Sequence, residues 1–215
     1  MSDWTLPEIA VDYTEDASRF VSKLESDLRV QLAAKPKRFR HSLSVAGTAE
    51  AMAMLYYDVD PLDARICGIL HDWDKAVPAE ELVSRAGSLG IDMGVDLHLV
   101  EPLLHGKVAA CELGALYPQL SSEILRAIDV HTTGAAQMSD LDMLLFVADG
   151  IEPLRKSSPG IDRIRKLVGK VSLSELYWES FVGGIQYVLS GGRYLWAGTI
   201  DTYNELAAKR AASSV

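Results

Sequence analysis

Apolar residues recur every three to four positions along almost the whole chain, the spacing of one buried helical face. The first such face runs through Ala17, Phe20, Val21, Leu24, Leu28 and Leu32. With Thr14 as cap it predicts a helix over 14–34, ended by Pro36. The next carries His41, Leu43, Val45, Ala49, Met52 and Leu55. Asp60-Pro61 is a cap with proline in the first turn, and it opens the segment DPLDARICGILHD. Pro78 starts a further helix closed near Gly90, and another spans 106–116 before Pro118. Ser121 and Ser139 begin the segments that reach His131 and Asp149. SSPGID at 157–162 predicts a loop, and helices over 172–189 and 199–211, parted by Ser190-Gly191-Gly192, complete the chain.

No alternating run of the kind a half-buried strand needs is left over, which argues against a parallel-sheet nucleotide fold. There is no internal repeat and no clear linker. The pattern predicts one all-α domain over 1–215, with the N-terminal helix and the C-terminal helices of 172–211 packed on a common core.

Composition agrees with helices: 48% of residues are hydrophobic but only 7% aromatic, with Ala and Leu plentiful. The formal charge of −9 repels a phosphate backbone and argues against an extended nucleic acid as partner. A small phosphorylated substrate stays open, provided its site is a positive island in that surface. Cys67 and Cys111 stand outside any CxxC pair, against a disulfide framework or a thiolate zinc site, and both read as buried thiols. The N-terminus lacks the basic start and apolar core of a signal peptide, and no run is long enough to span a bilayer. The expectation is a cytoplasmic protein without a membrane partner.

Chemistry concentrates at four of the five histidines, in RFRHS, GILHDWDK, LLHGK and DVHTTG. His71-Asp72 follows the apolar run Ile66-Cys67-Gly68-Ile69-Leu70, and Asp149 follows Phe146-Val147-Ala148. A carboxylate at the buried end of an apolar helix is costly unless a cation meets it. Imidazoles mixed with carboxylates suit iron, manganese or zinc better than magnesium. His41, His71, Asp72, His105, His131 and Asp149 thus form an inventory for two ions bridged by one aspartate, a pair able to activate water and stabilise a leaving phosphoryl oxygen. Each histidine alone reads as a hydrogen-bonded core residue; it is their ordered combination that points to metal. His98, in VDLHLVEP, reads as a loop or surface residue. No GxSxG, GxxxxGK[ST] or GxGxxG competes.

The order H…HD…H…H…D on helices resembles the HD-domain phosphohydrolase superfamily. GILHDWDK, LLHGKVA, AIDVHTTG, LDMLLFVADGIEPLR and GTIDTYNEL are similar to the YqeK-like family, the symmetrical bis(5′-nucleosyl)-tetraphosphatases, from about Arg38 to Leu206. The resemblance implies a compact HD-domain helical bundle, a di-iron centre and symmetrical hydrolysis of diadenosine tetraphosphate to two ADP by a metal-activated water. By matching motif, His41, His71, Asp72 and Asp149 would hold one metal, and Asp72 would bridge to a second held by His105 and His131. Asp72, Lys75 and Arg155 would serve catalysis. Lys75, Thr132, Thr133, Gly134, Arg155, Tyr203 and Asn204 would contact substrate, with Lys107 a weaker candidate.

The partner implied is a small dinucleoside polyphosphate, and a homodimer is compatible with the family. Two departures stand out. Trp73 and Asp74 replace the usual tyrosine and alanine, so Trp73 could offer an aromatic face to a base while Asp74 adds negative charge near a phosphate path. Gly150 replaces a bulky residue. The rival readings are another HD phosphohydrolase (a nucleotidase or cyclic-dinucleotide phosphodiesterase) and a nucleotide-sensing module without turnover.

Overall fold

The computed structural model describes residues 4, 6, 11–56 and 58–213, so most of the segment read for a targeting signal lies outside it. Among the described residues ten α-helices follow one another: α1 (Glu15–Gln31), α2 (Pro36–Ala53), α3 (Pro61–Leu70), α4 (Ala79–Ser88), α5 (Glu101–Leu116), α6 (Ser122–Val130), α7 (Asp140–Ile151), α8 (Pro159–Leu167), α9 (Leu173–Ser190) and α10 (Ala197–Ser213). A short 3-10 turn, Leu97–Val100, precedes α5 and carries the exposed His98. No strand occurs among the described residues, and none of their helices is long and apolar enough to cross a membrane.

Helix starts follow local chemistry. Thr14 accepts from the Ala17 amide, Asp60 from Leu62 and Ser121 from Ile124. Ser139 and Asp142 form a reciprocal capping box at the start of α7. Two expectations are corrected here. Pro36 does not end α1, which stops at Gln31; it opens α2, where the missing N–H of proline costs nothing. The predicted loop at 157–162 contains the start of α8, with Ser158 as cap and Pro159 in the first turn. Serine followed by proline marks turns and helix starts alike.

The site depends on two close helix contacts. A Cβ on Gly68 would lie 2.4 Å from Ala46 Cα, so only glycine lets α3 press backbone to backbone on α2. A Cβ on Gly106 would lie 2.7 Å from the Ile128 carbonyl oxygen and 2.8 Å from the His131 ring, which sets α5 equally close to α6. Around these contacts, α1, α2, α3, α6, α7 and α9 bury Leu24, Leu28, Met52, Ile69, Ile128, Leu144 and Leu176 in one main core. A smaller apolar cluster, including Leu82, Ala86, Leu104 and Val108, joins α4 to α5. Cys67 is buried as expected, but Cys111 is exposed. On α5 the buried arc runs through Leu104, His105, Val108, Ala109 and Leu113, and Cys111 falls outside it.

Candidate metal centre

Four helices deliver the histidines. His41 lies on the second turn of α2 and His105 on the second turn of α5. His71 and His131 are the C-terminal caps of α3 and α6. The last carbonyls of a helix have no partner within it. His71 Nδ1 meets the Gly68 carbonyl at 2.8 Å and His131 Nδ1 meets Ile128 at 2.7 Å, each three residues back. His105 Nδ1 lies 3.1 Å from the Pro102 carbonyl, and His41 Nδ1 lies 3.0 Å from Glu152 Oε1. Every Nδ1 thus lies beside an acceptor, and in the neutral tautomer that donates there the Nε2 lone pair is free to ligate.

Those lone pairs converge on the carboxylates. Asp72 Oδ2 is 3.7 Å from His41 Nε2 and 3.6 Å from His71 Nε2. Its other oxygen, Oδ1, is 3.1 Å from His105 Nε2, which is itself 3.2 Å from His131 Nε2. Asp149 Oδ1 lies 2.9 Å from His41 Nε2 and 3.7 Å from His71 Nε2. The structure thus gathers all six sequence-derived candidates into two groups that share Asp72: His41, His71 and Asp72, joined by Asp149, and then Asp72, His105 and His131. Ligand atoms of one ion with bonds near 2.1 Å stand roughly 3–3.5 Å apart, close to the spacings found.

The donor chemistry fits cations. Nε2 of His71 is buried without a hydrogen-bond partner, and Nε2 of His41 faces a carboxylate oxygen of Asp149 at 2.9 Å. Burial, with the imidazoles of His105 and His71, pushes His131 down to about 3, and burial also lowers His71. Burial works against the charged forms of Asp72 and Asp149, but His71 and His105 hold the first, and Arg155 and His41 the second, well below the carboxylate range. Burial would also lower His41, yet the carboxylates of Asp149 and Glu152 override it, up to about 9. A buried carboxylate, Asp72, and a half-buried one, Asp149, here call for positive charge.

Beside His41 opens a cleft of about 670 Å³ lined by Lys37, Arg38, Arg40, Arg155 and Lys156, with Glu152 and Leu154. In a chain of net charge −9 this is the positive island that a phosphorylated substrate requires. Arg38 Nη1 donates to Asp72 Oδ2 at 3.0 Å, and Arg155 donates to Asp149 Oδ1 at 2.6 Å and to its carbonyl at 2.9 Å. Lys75 is half-buried with its Nζ 3.2 Å from His105 Nδ1, and desolvation lowers the pKa of its ammonium.

Other candidates have different occupations. Thr132 donates its hydroxyl to the Leu103 carbonyl at 2.8 Å, tying the end of α6 to α5. The amides of Thr133 and Gly134 both donate to Val130, and Thr133 is buried. Gly134 takes φ +65 with Tyr177 and Phe181 against its open face, so these amides point away from a phosphate path. Tyr203 stacks on Trp178, with ring centroids 5.4 Å apart, which is helix packing between α9 and α10; Asn204, beside it on α10, is exposed. Lys107 pairs with Asp129 at 3.2 Å.

Trp73 is buried edge-on against Tyr117 and offers no face to a base. Asp74 is fully buried against Gln31 and Arg85, on the side of α1 and α4, and burial beside Glu112 pushes it up to about 7. Both side chains are taken up by these neighbours, away from the facing Nε2 atoms, so neither of the two reaches the phosphate path. A Cβ on Gly150 would meet nothing within 4 Å. Sequence reasoning passed over Glu152 and Arg38, although both stand inside quoted motifs, EPLR and RFRH.

A family model described as HD domain matches residues 38–154, and the chain belongs to that family. A symmetrical bis(5′-nucleosyl)-tetraphosphatase of Staphylococcus aureus is 34% identical over 171 residues, 78% of this chain and 86% of that protein. The Bacillus subtilis protein of the same name is 30% identical over 169 residues, covering 79% and 89%. The chain belongs, within the HD-domain family, with these symmetrical tetraphosphatases. A crystal structure from Clostridium acetobutylicum, described as a predicted HD superfamily hydrolase involved in NAD metabolism, superposes with a TM-score of 0.78 at 31% identity. It covers 93% of this chain and 100% of its own.

Proposed function

We propose that this protein hydrolyses diadenosine tetraphosphate at its central phosphoanhydride, water adding across the P–O–P bond to give two ADP. The observation that carries this reading is the position of Asp72. One of its oxygens faces His41 and His71, the other faces His105, and a cleft lined by five cations opens beside them. The six-residue set would hold two metal ions, His41, His71, Asp72 and Asp149 one and Asp72, His105 and His131 the other; the mixed imidazole and carboxylate donors favour iron over magnesium. When bound, such ions lower the pKa of water and draw charge from phosphoryl oxygens.

The chain's own residues do the rest. The guanidinium groups of Arg38 and Arg155 stand where the cleft meets Asp72 and Asp149, placed to grip phosphate oxygens as the polyphosphate enters. Lys37, Arg40 and Lys156 line the outer cleft, where a long phosphate chain finds more countercharge than a monophosphate does. Lys75 adds a half-buried cation behind His105, at its Nδ1, which brings positive charge to that side of the centre. Two free cysteines accord with a cytoplasmic setting for this chemistry.

The test is hydrolysis of a panel of dinucleoside polyphosphates by the purified protein, with metal measured on the same sample. Two ADP as the sole products, with about two ions per chain, is the expected result. ATP plus AMP, or inertness, would sink the proposal, and turnover of a mononucleotide or cyclic dinucleotide instead would move the protein to a rival branch.

A further inference from the structure

The turn at the end of α7, residues 151–155, holds both the carboxylate that orients His41 and the guanidinium that pairs with Asp149. Helix α7 has no basic residue of its own in its last turn to meet its free carbonyls. A side chain from α8 supplies one. Arg165 is 3% exposed; its Nε donates to the Ile151 carbonyl at 2.9 Å and its Nη2 to the Glu152 carbonyl at 2.8 Å and the Arg155 carbonyl at 3.3 Å. Asp162 Oδ1 lies 3.5 Å from Nη1, and the Trp4 ring lies 5.2 Å from the guanidinium carbon.

We infer that Arg165 is a positioning residue of the metal centre: by clamping three carbonyls of the 151–155 turn it fixes the reach of Glu152 to His41 and of Arg155 to Asp149 and the cleft. The planar fork of arginine matters because the carbonyls lie on one strand and are met by two of its nitrogens together. A lysine in its place keeps the charge but presents a single point, able to hold one carbonyl well and to leave the turn free to rotate. Of the four histidines, His41 alone takes its Nδ1 partner from this turn, so the effect is confined to one side of Asp72.

The inference rests on the hydrolase reading for its activity arm only; metal binding tests it separately. Arg165→Lys and Arg165→Gln are compared with the wild-type chain by thermal transition, metal titration and the steady-state split of kcat from KM, and Arg165→Lys is also combined with Glu152→Gln. The expected result for a folded Arg165→Lys protein is weakening of one of two metal sites by about tenfold. A fall in kcat/KM of similar size is expected, and adding Glu152→Gln should cost less than about threefold more, since the two act through one histidine. Wild-type metal affinity in a folded variant, equal weakening of both sites, or losses that multiply in the double variant would overturn it. So would failure of both variants to give a cooperative transition, since Arg165 would then be a residue of folding alone. Should wild type itself be inert on diadenosine tetraphosphate, the hydrolase reading fails while the metal titration still judges Arg165.

Discussion

On one side of Asp72, His105 and His131 take their orientation from the carbonyls of Pro102 and Ile128, each three residues back along the chain. On the other side His71 does the same with Gly68, but His41 turns to Glu152, 111 residues away. A backbone carbonyl comes with the helix and no side-chain substitution removes it. A carboxylate can be lost, and so can the turn that carries it. The His105 side is therefore set by secondary structure, and the His41 side by tertiary contacts among Glu152, Arg155 and the 151–155 turn. Only the His41 side opens on the cationic cleft. The half that would meet the entering substrate is the one whose geometry is adjustable.

The largest break comes from the residue the two sides share. Asp72→Ala removes a donor from both groups, leaving Asp149 beside His41 and His71 and taking from His105 the carboxylate its Nε2 faces. Hydrolysis should fall on the order of a thousandfold or more, with bound metal dropping on both sides together. Retained turnover in a folded Asp72→Ala protein would remove the centre from the mechanism altogether.

The two glycine contacts separate the sides. In Gly68→Ala the new Cβ meets backbone, Ala46 Cα at 2.4 Å and Ala46 N at 2.6 Å, so α2 and α3 must part and carry His41 away from His71. A loss of at least about 1–3 kcal/mol in stability should come with an activity fall of about a hundredfold for a displacement near 1 Å. Gly106→Ala meets the His131 ring at 2.8 Å, and there metal at the His105–His131 group should suffer first. Calorimetry beside metal titration tells the two apart; the same pattern in both variants would mean that the sides are not independent. A smaller change, Glu152→Gln, keeps an acceptor for His41 Nδ1 but not its charge, and should weaken metal on the His41 side alone by about tenfold.

How far the sequence foretold this depends on what each residue's partner is. The six candidate ligands were legible because each ends or interrupts an apolar helical face, a strictly local signal. Gly68 and Gly106 were inside quoted motifs, but a helix crossing leaves no periodic trace. Glu152 and Arg38 were hidden for the same reason: their partners, His41 and Asp72, lie 111 and 34 residues away. The HTTG motif misled in an instructive way, since its glycine and threonines serve the turn after α6, with amides spent on Val130 and a hydroxyl on Leu103. Trp73 and Asp74 show that adjacency to a ligand in sequence is not adjacency in space; Trp73 packs on Tyr117 at the end of α5, and Asp74 meets Gln31 of α1 and Arg85 of α4.

The smallest effect is expected at Gly150, between Asp149 and the turn that holds Glu152. It sits within α7, its φ is not positive, and a Cβ there would meet nothing within 4 Å, so no close approach requires glycine. Gly150→Ala should therefore stabilise the protein by about 0.5–1 kcal/mol, through the lower entropy of the unfolded chain and the better helix propensity of alanine. If the His41 side is held by Arg165, Glu152 and Arg155, kcat and KM should stay as they are, because the added methyl touches none of them. A stabilised variant with lowered kcat would instead show that turnover draws on backbone freedom at the end of α7. The adjustable side of Asp72 would then be mobile in catalysis as well as separately mutable. Thermal unfolding and steady-state kinetics on one preparation distinguish these outcomes.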